Sequence, residues 1–441
     1  MRSALLVSIF TLAIAALAIN PGTARAIELN SSAGRQSTTF AYGAAMKRWA
    51  TAENLNAQTV HDRSRNWLQP EGVRIGNYLV FADVEARTVI DDNIFATAGN
   101  RTADQNLQLL PNLKFQSQFS RHVMNFEIGG KVSRYARNTE LNHENVYGLF
   151  DGALHINHAH TLSLSLLSAI EHEDRLSGSA PSKASELTRI WHNRANVGLT
   201  RDAGRLHATL SGAYESWDFR DVEAFGGGVI DQDYRDLKIF SSDLKIGYRF
   251  SPGFSLETKL RGLRKLHGGT ASQAADAWGY EATAGLNFET SPLLKWQIIG
   301  GYGIRDYDRP DLKNTAIGLL QGRVTWLPTQ LLTIYGTASR KFDDAVFENA
   351  IGGKTDNTIE VSANYEALRN LIFTITGKYT KSDYVESARK DNIMAAGLRM
   401  TYMHTKNWNF TAGYEYAQRT SNTYDGDISR NRFIFSAKLR F

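Results

Sequence analysis

Asp91, Asp92 and Asn93 stand side by side in the stretch VIDDNIFATAGN (Val89–Asn100), and their oxygens have the density of a calcium loop. Such a loop needs glycine at its sixth position and glutamate at its twelfth. Counted from Asp91, those positions hold Ala96 and Thr102, so the metal reading fails. A local turn fits better: Asp92 and Asn93 can bond their own backbone where a strand ends, with Ile94 and Phe95 as a small apolar anchor. Glu171 and Glu173 have the spacing of an acid–base pair for glycoside chemistry, yet acidic pairs on exposed loops are far commoner as solvated charge. The 11 histidines scatter. His122, His158, His160 and His404 fall in tight turns with His155 beside them, and His143, His172 and His267 fall near loops. No Gly-x-Ser-x-Gly elbow, His-x-x-x-His helix or phosphate-cradling glycine loop occurs in a helical context. The expectation is therefore no enzyme, no catalytic residue, no metal and no cofactor.

The elements that must position any site begin with the N-terminus. Met1-Arg2-Ser3 is a short positive start, Ala4–Ile19 is apolar, Asn20-Pro21-Gly22 breaks the helix, and Ala24-Arg25-Ala26 places small residues at the cleavage positions. Residues 1–26 read as a cleaved signal peptide, too short in apolar length for a membrane span. There are no cysteines in 441 residues, so this exported chain is not a small disulfide-stapled domain. The net charge of +5 loses Arg2 and Arg25 on cleavage. With acids and bases interleaved, no basic tract points to nucleic acid. Residues 27–76 are polar and small, with one short helix expected over Phe40–Thr51. They read as a periplasmic or lumenal extension.

From Tyr78 onward the hydrophobic period is two. In RFIFSAKLRF, Phe433, Phe435, Ala437, Leu439 and Phe441 share one face, and Ile434, Ser436, Lys438 and Arg440 the other. NWNFTAGYEYA and WGYEATAGLNF repeat the pattern, which gives each strand one wet and one apolar face. Eighteen such segments can be counted, joined alternately by tight turns (SPG at 251–253, ALRN at 367–370) and long polar loops. The loops include Glu171–Glu186, Trp217–Asp236, Lys341–Asn357 and Thr420–Asn431. A solenoid or propeller does not require that asymmetry, whereas a transmembrane barrel has short periplasmic turns and longer extracellular loops. The fold class expected is all-β: an antiparallel up-and-down transmembrane barrel of about 18 strands over residues 77–441, in the outer membrane of a Gram-negative bacterium. Phe441 ends the last amphipathic strand as in chains recognised by the barrel-assembly machinery, and outer-membrane lipid and lipopolysaccharide would surround the apolar face.

A barrel of that size leaves an aqueous channel. Its wet face would carry Lys114, Lys131, Arg194, Lys245, Arg249, Lys259, Arg261, Arg323, Lys378 and Arg399, with Glu127, Glu215, Glu257, Glu281 and Glu415 among the acids. Such a wall, with few apolar groups, suits a hydrophilic solute. Each charge taken singly is a member of a solvated, paired lumen; taken together they could form a ladder for a hydroxyl-rich or anionic polymer.

Residues 59–100 also resemble a known family. Arg63, Pro70, Gly72, Arg74-Ile75-Gly76, then a strand, then Asp92-Asn93-Ile94-Phe95-Ala96-Thr97, with Asp104 and Leu110-Pro111 following, are similar to the start of the "putative beta-barrel porin 2" family. These are outer-membrane β-barrels often encoded with exopolysaccharide, capsule or holdfast synthesis genes. The likeness runs to the end of the chain but is specific only in this segment. It implies a non-enzymatic channel passing a secreted polysaccharide, with a periplasmic polysaccharide export protein below. The alternative is a general or selective diffusion porin for small hydrophilic solutes, and a distant third is a membrane-embedded enzyme acting on lipid or glycan. Small-solute porins usually fold one loop inward, and no loop here is conspicuously longer than the rest, which argues against such a constriction.

Overall fold

A strand that alternates apolar and polar residues cannot bury both faces in one core, but a sheet closed on itself gives each face its own solvent and leaves no backbone edge in lipid. The computed structural model describes residues 58–177, 180–181, 183–269, 275–343, 353–422 and 427–441. The expected signal peptide, the helix expected over Phe40–Thr51 and residues 344–352 of the loop expected from Lys341 lie outside them.

A three-residue strand β1 (Val73–Ile75) leads through a turn at Gly76, whose φ of +57° favours glycine, onto β2. The first strands are β2 (Tyr78–Asp91), β3 (Asp104–Ser117), β4 (Val123–Tyr135), β5 (His143–His155), β6 (His160–His172), β7 (Arg189–Ala203) and β8 (Leu206–Phe219). A small hairpin, β9 (Val222–Glu223) with β10 (Val229–Ile230), sits in the next loop. Then come β11 (Leu237–Ser251), β12 (Phe254–His267), β13 (Ala277–Ser291), β14 (Leu294–Tyr307) and β15 (Thr315–Thr329). The last are β16 (Leu332–Asp343), β17 (Lys354–Leu368), β18 (Leu371–Tyr384), β19 (Lys390–Met403), β20 (Trp408–Ser421) and β21 (Ile428–Arg440). Each long strand pairs antiparallel with the next, β8 pairs with β11, and β21 returns to β2 from Asp83↔Arg440 to Asp91↔Arg432. The result is a closed antiparallel barrel of 18 strands, and the eighteen segments expected from the alternation are its strands. Below the end of β21, β1 takes up the free edge of β2 at Val80, and the Phe441 N–H donates to Ala82 O at 2.8 Å.

The strands are longer than the alternation implies. They reach 12–15 residues, beyond the ~10 that lipid requires. In particular β16 runs on to Asp343 and β17 starts at Lys354, so Lys341 and Asn357 are strand residues rather than loop ends. The apolar row faces outward: Phe435, Leu260 and Ile375 are each more than half exposed. Aromatic rings gather at the tight-turn end, where Phe250 stacks on Phe254, Phe288 on Trp296 and Trp408 on Phe410, as a girdle at a membrane interface would.

The inward face is polar along most of its length, but not throughout. Beneath the long loops, Ile190, Trp217, Phe219, Leu237, Ile239 and Leu263 form a buried apolar cluster on the inner wall. Ala96, Leu176, Ala395, Ala417 and Ile428 form another. A lumen wall with few apolar groups is thus correct only below these seats. The reason is that loops fold inward onto them.

Candidate functional site

The cross-strand register fixes which residues face the lumen. Asp83, Glu85, Arg87, Val89 and Asp91 of β2 share a face with Arg440, Lys438, Ser436, Ile434 and Arg432 of β21, opposite the exposed Phe433 and Phe435. Followed around the ring, that face carries every basic and acidic wall residue named from the alternation.

Most of these charges occur in paired groups. Glu127 is buried and accepts from Asn112 Nδ2 at 2.8 Å and Tyr147 OH at 3.0 Å, with Lys114 at 3.9 Å. Arg194 lies opposite Glu215, which contacts His192 Nε2 at 3.1 Å. Lys245 binds Glu257 at 2.7 Å, and His207 approaches the same carboxylate at 3.5 Å. Lys259 and Arg261 share Asp243 at 3.4 and 3.5 Å, and Arg305 holds Glu281 at 2.8 Å. Arg399 and Arg432 converge on Glu415 at 3.5 and 2.7 Å, and Lys438 meets Asp83. Lys131 stands opposite Asn145, and Arg249 opposite Ser255 near the tight turn. Arg323 and Lys378 are different: among the described residues neither forms an ion pair.

Two inserted segments narrow this wall. At the long-loop end, residues 173–177, between β6 and β7, turn into the lumen and reach β19–β21. Arg430, on the inner face of β21, donates from Nη1 and Nη2 to the two Asp174 oxygens at 3.0 and 2.8 Å. Burial pushes the Asp174 carboxyl up, but Arg430, Arg432 and the Leu176 N–H outweigh it and hold the group well below the usual carboxylate range. Leu176 fills the seat formed by Ala395, Ala417, Ala96 and Ile428. Beside it, Glu173 accepts from Arg235 Nη2 at 2.8 and 2.9 Å, and Arg235 lies 4.2 Å over the Phe219 ring. Arg175 caps the Phe95 ring at 5.4 Å, and Phe95 meets Phe225 of the loop after β8 at 5.7 Å. The expectation that no loop constricts the barrel is therefore corrected. Length was the wrong criterion, because what seats this loop is one wall arginine, Arg430, a second arginine, Arg235, from the neighbouring loop before β11, and an apolar socket.

At the tight-turn end, residues 59–69 lie against the inner face. Val60 N–H donates to Thr333 Oγ1 at 2.9 Å, and His61 Nε2 meets Asn364 Oδ1 at 3.0 Å. Arg63 and Arg65 each reach Glu366 at 3.1 Å, and Arg65 Nε donates to Arg369 O. Arg440 donates to Leu68 O at 2.9 Å, which carries the segment over to the barrel seam.

The opening stretch is a brace across that seam. Asn93 is fully buried: its Nδ2 donates to Thr97 O at 2.8 Å and Ser429 O at 2.9 Å, and its Oδ1 accepts from Thr97 N–H at 3.0 Å. This clamp holds Ala96 at a φ of +51°. Asp92 accepts from Asn431 N–H at 2.6 Å and Asn431 Nδ2 at 2.7 Å, and Ile94 is buried. Asp91, Asp92 and Asn93 therefore spend their oxygens on protein groups. Glu173, half of the candidate acid–base pair, is likewise committed to Arg235. Asp221, Asp231 and Asp233 cluster on an exposed loop, where Asp221 and Asp231 accept loop N–H groups.

Residues 66–441 match the family described as "Putative beta-barrel porin 2". The chain belongs to this family. It is accordingly a porin-like β-barrel of the outer membrane, and the tight-turn end is the periplasmic one. No curated protein matches the sequence. Among solved structures, Pseudomonas aeruginosa OpdK with vanillate is similar at 12% identity, over 82% of this chain and 99% of that one, with a TM-score of 0.46. Pseudomonas aeruginosa OpdO gives 14%, 83%, 98% and 0.48. A BenF-like porin from Pseudomonas fluorescens Pf-5 gives 11%, 82%, 99% and 0.48. These likenesses are of architecture and say nothing of a ligand.

Some site residues escaped the sequence reading. Arg430 and Arg432 have the same parity as Ser436 and Lys438, and Lys341 the parity of Thr337 and Ser339, so extending each strand by two pairs would have found them. Asp174 and Leu176 carry no local signal, because their partners lie on the far wall.

Proposed function

We propose that this barrel is a selective diffusion porin for small hydrophilic solutes. The observation that carries the reading is the segment 173–177 after β6, held to the lumen wall by Asp174–Arg430, tied to the loop before β11 by Glu173–Arg235 and seated by Leu176. A polymer in transit needs a bore free along its whole length, whereas a porin for small molecules gains selectivity by leaving a narrow, charged passage beside a fixed loop. Residues 59–69 narrow the periplasmic mouth as well, which favours small solutes over polysaccharide. The lumen ion-pair network supports the same reading: a wet wall with charges held in place offers many weak contacts and no greasy track.

In this reading residues 1–26 are removed on export, the strand ending at Phe441 is offered to the barrel-assembly machinery, and lipid with lipopolysaccharide surrounds the apolar face. No periplasmic export protein is required, and the barrel does no chemistry. Purified folded protein in a planar bilayer should give discrete unitary currents, and proteoliposomes should swell in small sugars and organic acids but not in dextran. A strain lacking the gene should keep its surface polysaccharide. Loss of that polymer, with no unitary current from folded protein, would replace this reading with polysaccharide export.

A further inference from the structure

One row of inward residues crosses seven of the 18 strands, β15 to β21. In register, Arg323 stands opposite Thr337, Thr337 opposite Glu360, Glu360 opposite Lys378 and Lys378 opposite Ala395. The row continues through Ala417 to Arg430. Its far end is where the segment 173–177 is seated, Leu176 on the two alanines and Asp174 on Arg430. Its near end, beyond the seat, is the wall that the passage beside the loop must follow.

That wall is unusual in its charges. Arg323 and Lys341 are exposed to the lumen and Lys378 is half-buried. Among the described residues none of the three forms an ion pair or a side-chain hydrogen bond, in contrast to Lys245, Lys259, Arg261 and Arg305 on neighbouring strands. Lys341 has Arg323 and Lys378 as its principal like-charged neighbours. The acids around the trio are mostly engaged elsewhere. Asp356, opposite Lys341, is held by Lys354 at 3.3 Å. Glu173 and Asp174 of the loop are satisfied by Arg235 and Arg430. Glu360 is the one acid left in the row.

We infer that Arg323, Lys341 and Lys378 form an anion-binding subsite in the passage beside the inserted loop, and that the preferred solutes are small organic carboxylates. Three cations held together in a narrow aqueous channel with low-dielectric walls focus a positive potential, which concentrates anions and relieves the mutual repulsion when one binds. The Arg323 guanidinium offers a planar fork matched to a carboxylate, and the two ammonium groups are mobile point charges that can follow it. The subsite rests on the porin reading above, since it needs an open passage.

The test is the reversal potential of single channels in a KCl gradient, together with block of the current by added citrate. The unaltered protein should prefer chloride to potassium, and micromolar to millimolar citrate should block it. The triple variant Arg323→Gln, Lys341→Gln, Lys378→Gln should lose the preference and bind citrate at least roughly tenfold more weakly. Lys378→Glu alone, which adds no bulk, should shift the reversal potential in the same direction. Heat-modifiable migration on gels checks that each variant is folded. Unitary currents with no anion preference, or variants with unchanged reversal potential and block, would overturn the subsite and leave the porin intact. Absence of any current from folded unaltered protein would overturn both.

Discussion

Both mouths of this barrel are narrowed by an inserted segment held by buried charge, but the two devices are built in opposite senses. At the long-loop end the inserted chain brings the acids, Glu173 and Asp174; the wall supplies Arg430 to Asp174, and the neighbouring loop before β11 supplies Arg235 to Glu173. At the tight-turn end the inserted chain brings Arg63 and Arg65, and both converge on the single carboxylate of Glu366, with Arg369 also within 3.5 Å. The first arrangement spreads its hold over two ion pairs and a Leu176 plug. The second concentrates it on one side chain that is 1% exposed. A latch with a distributed hold degrades in steps, and one with a single keystone fails at once.

The largest effect should therefore come from Glu366→Gln. It leaves three guanidinium groups around a neutral amide, and breaking a buried ion pair by removing one partner costs about 3–5 kcal/mol. Residues 59–69 should leave the wall. Because the chain has no cysteine, a spin label at a Ser64→Cys site reports this directly. The spectrum should change from immobile to mobile, and an unchanged spectrum would place the hold in the backbone contacts of Val60 and Arg65 instead.

Asp174→Asn should do less. Arg430 keeps Asp91 at 3.8 Å, and Leu176 and Glu173 stay seated, so the loss belongs at the low end of that range, about 3 kcal/mol. Unitary conductance should rise and become noisier as the loop samples positions off the wall. Quiet currents identical to the unaltered protein would break the assignment of the loop as a constriction. The same carboxyl sets a pH expectation. Its folded value is depressed, so its contribution is fully present above the unfolded value of about 4 and is lost only as pH falls below that. Conductance should be flat from pH 5 to 8 and open up only in stronger acid. A step inside that window would assign the latch to another group.

Asn93→Ala should come next. It removes the seam brace but touches neither inserted segment, and it leaves Thr97 N–H and Ser429 O to find water. A cost of about 1–3 kcal/mol is expected, read as earlier thermal unfolding with unitary conductance unchanged. If conductance also rose, the brace would have to be counted as part of the loop latch through Phe95 and Arg175.

How far these devices were legible in the sequence follows from their range. The barrel was, because strand polarity is local: Phe433 and Phe435 against Ile434 and Ser436 declare their faces without reference to any other strand. Wall residues were legible for the same reason, but their pairing was not. Lys259 and Lys378 look alike in the sequence, yet one has Asp243 at 3.4 Å and the other has no ion-pair partner among the described residues. The latches were hidden. Asp174 meets Arg430 across 256 residues, and Arg63 meets Glu366 across 303. No period reports such contacts.

The smallest effect should come from the tight-turn rim, and it separates inserted charge from surface charge. Lys406 binds Glu71 at 2.8 Å, a shorter contact than Arg63 or Arg65 makes with Glu366. Distance alone would rank it above them. Yet Glu71 is 81% exposed, and water screens and replaces what the ammonium group offers. Lys406→Ala should leave unfolding temperature, label mobility at residue 64 and conductance unchanged. If it released residues 59–69 as Glu366→Gln does, the hold on the N-terminal segment would lie at its exit from the barrel rather than inside, and the contrast between a keystone and a distributed latch would not stand.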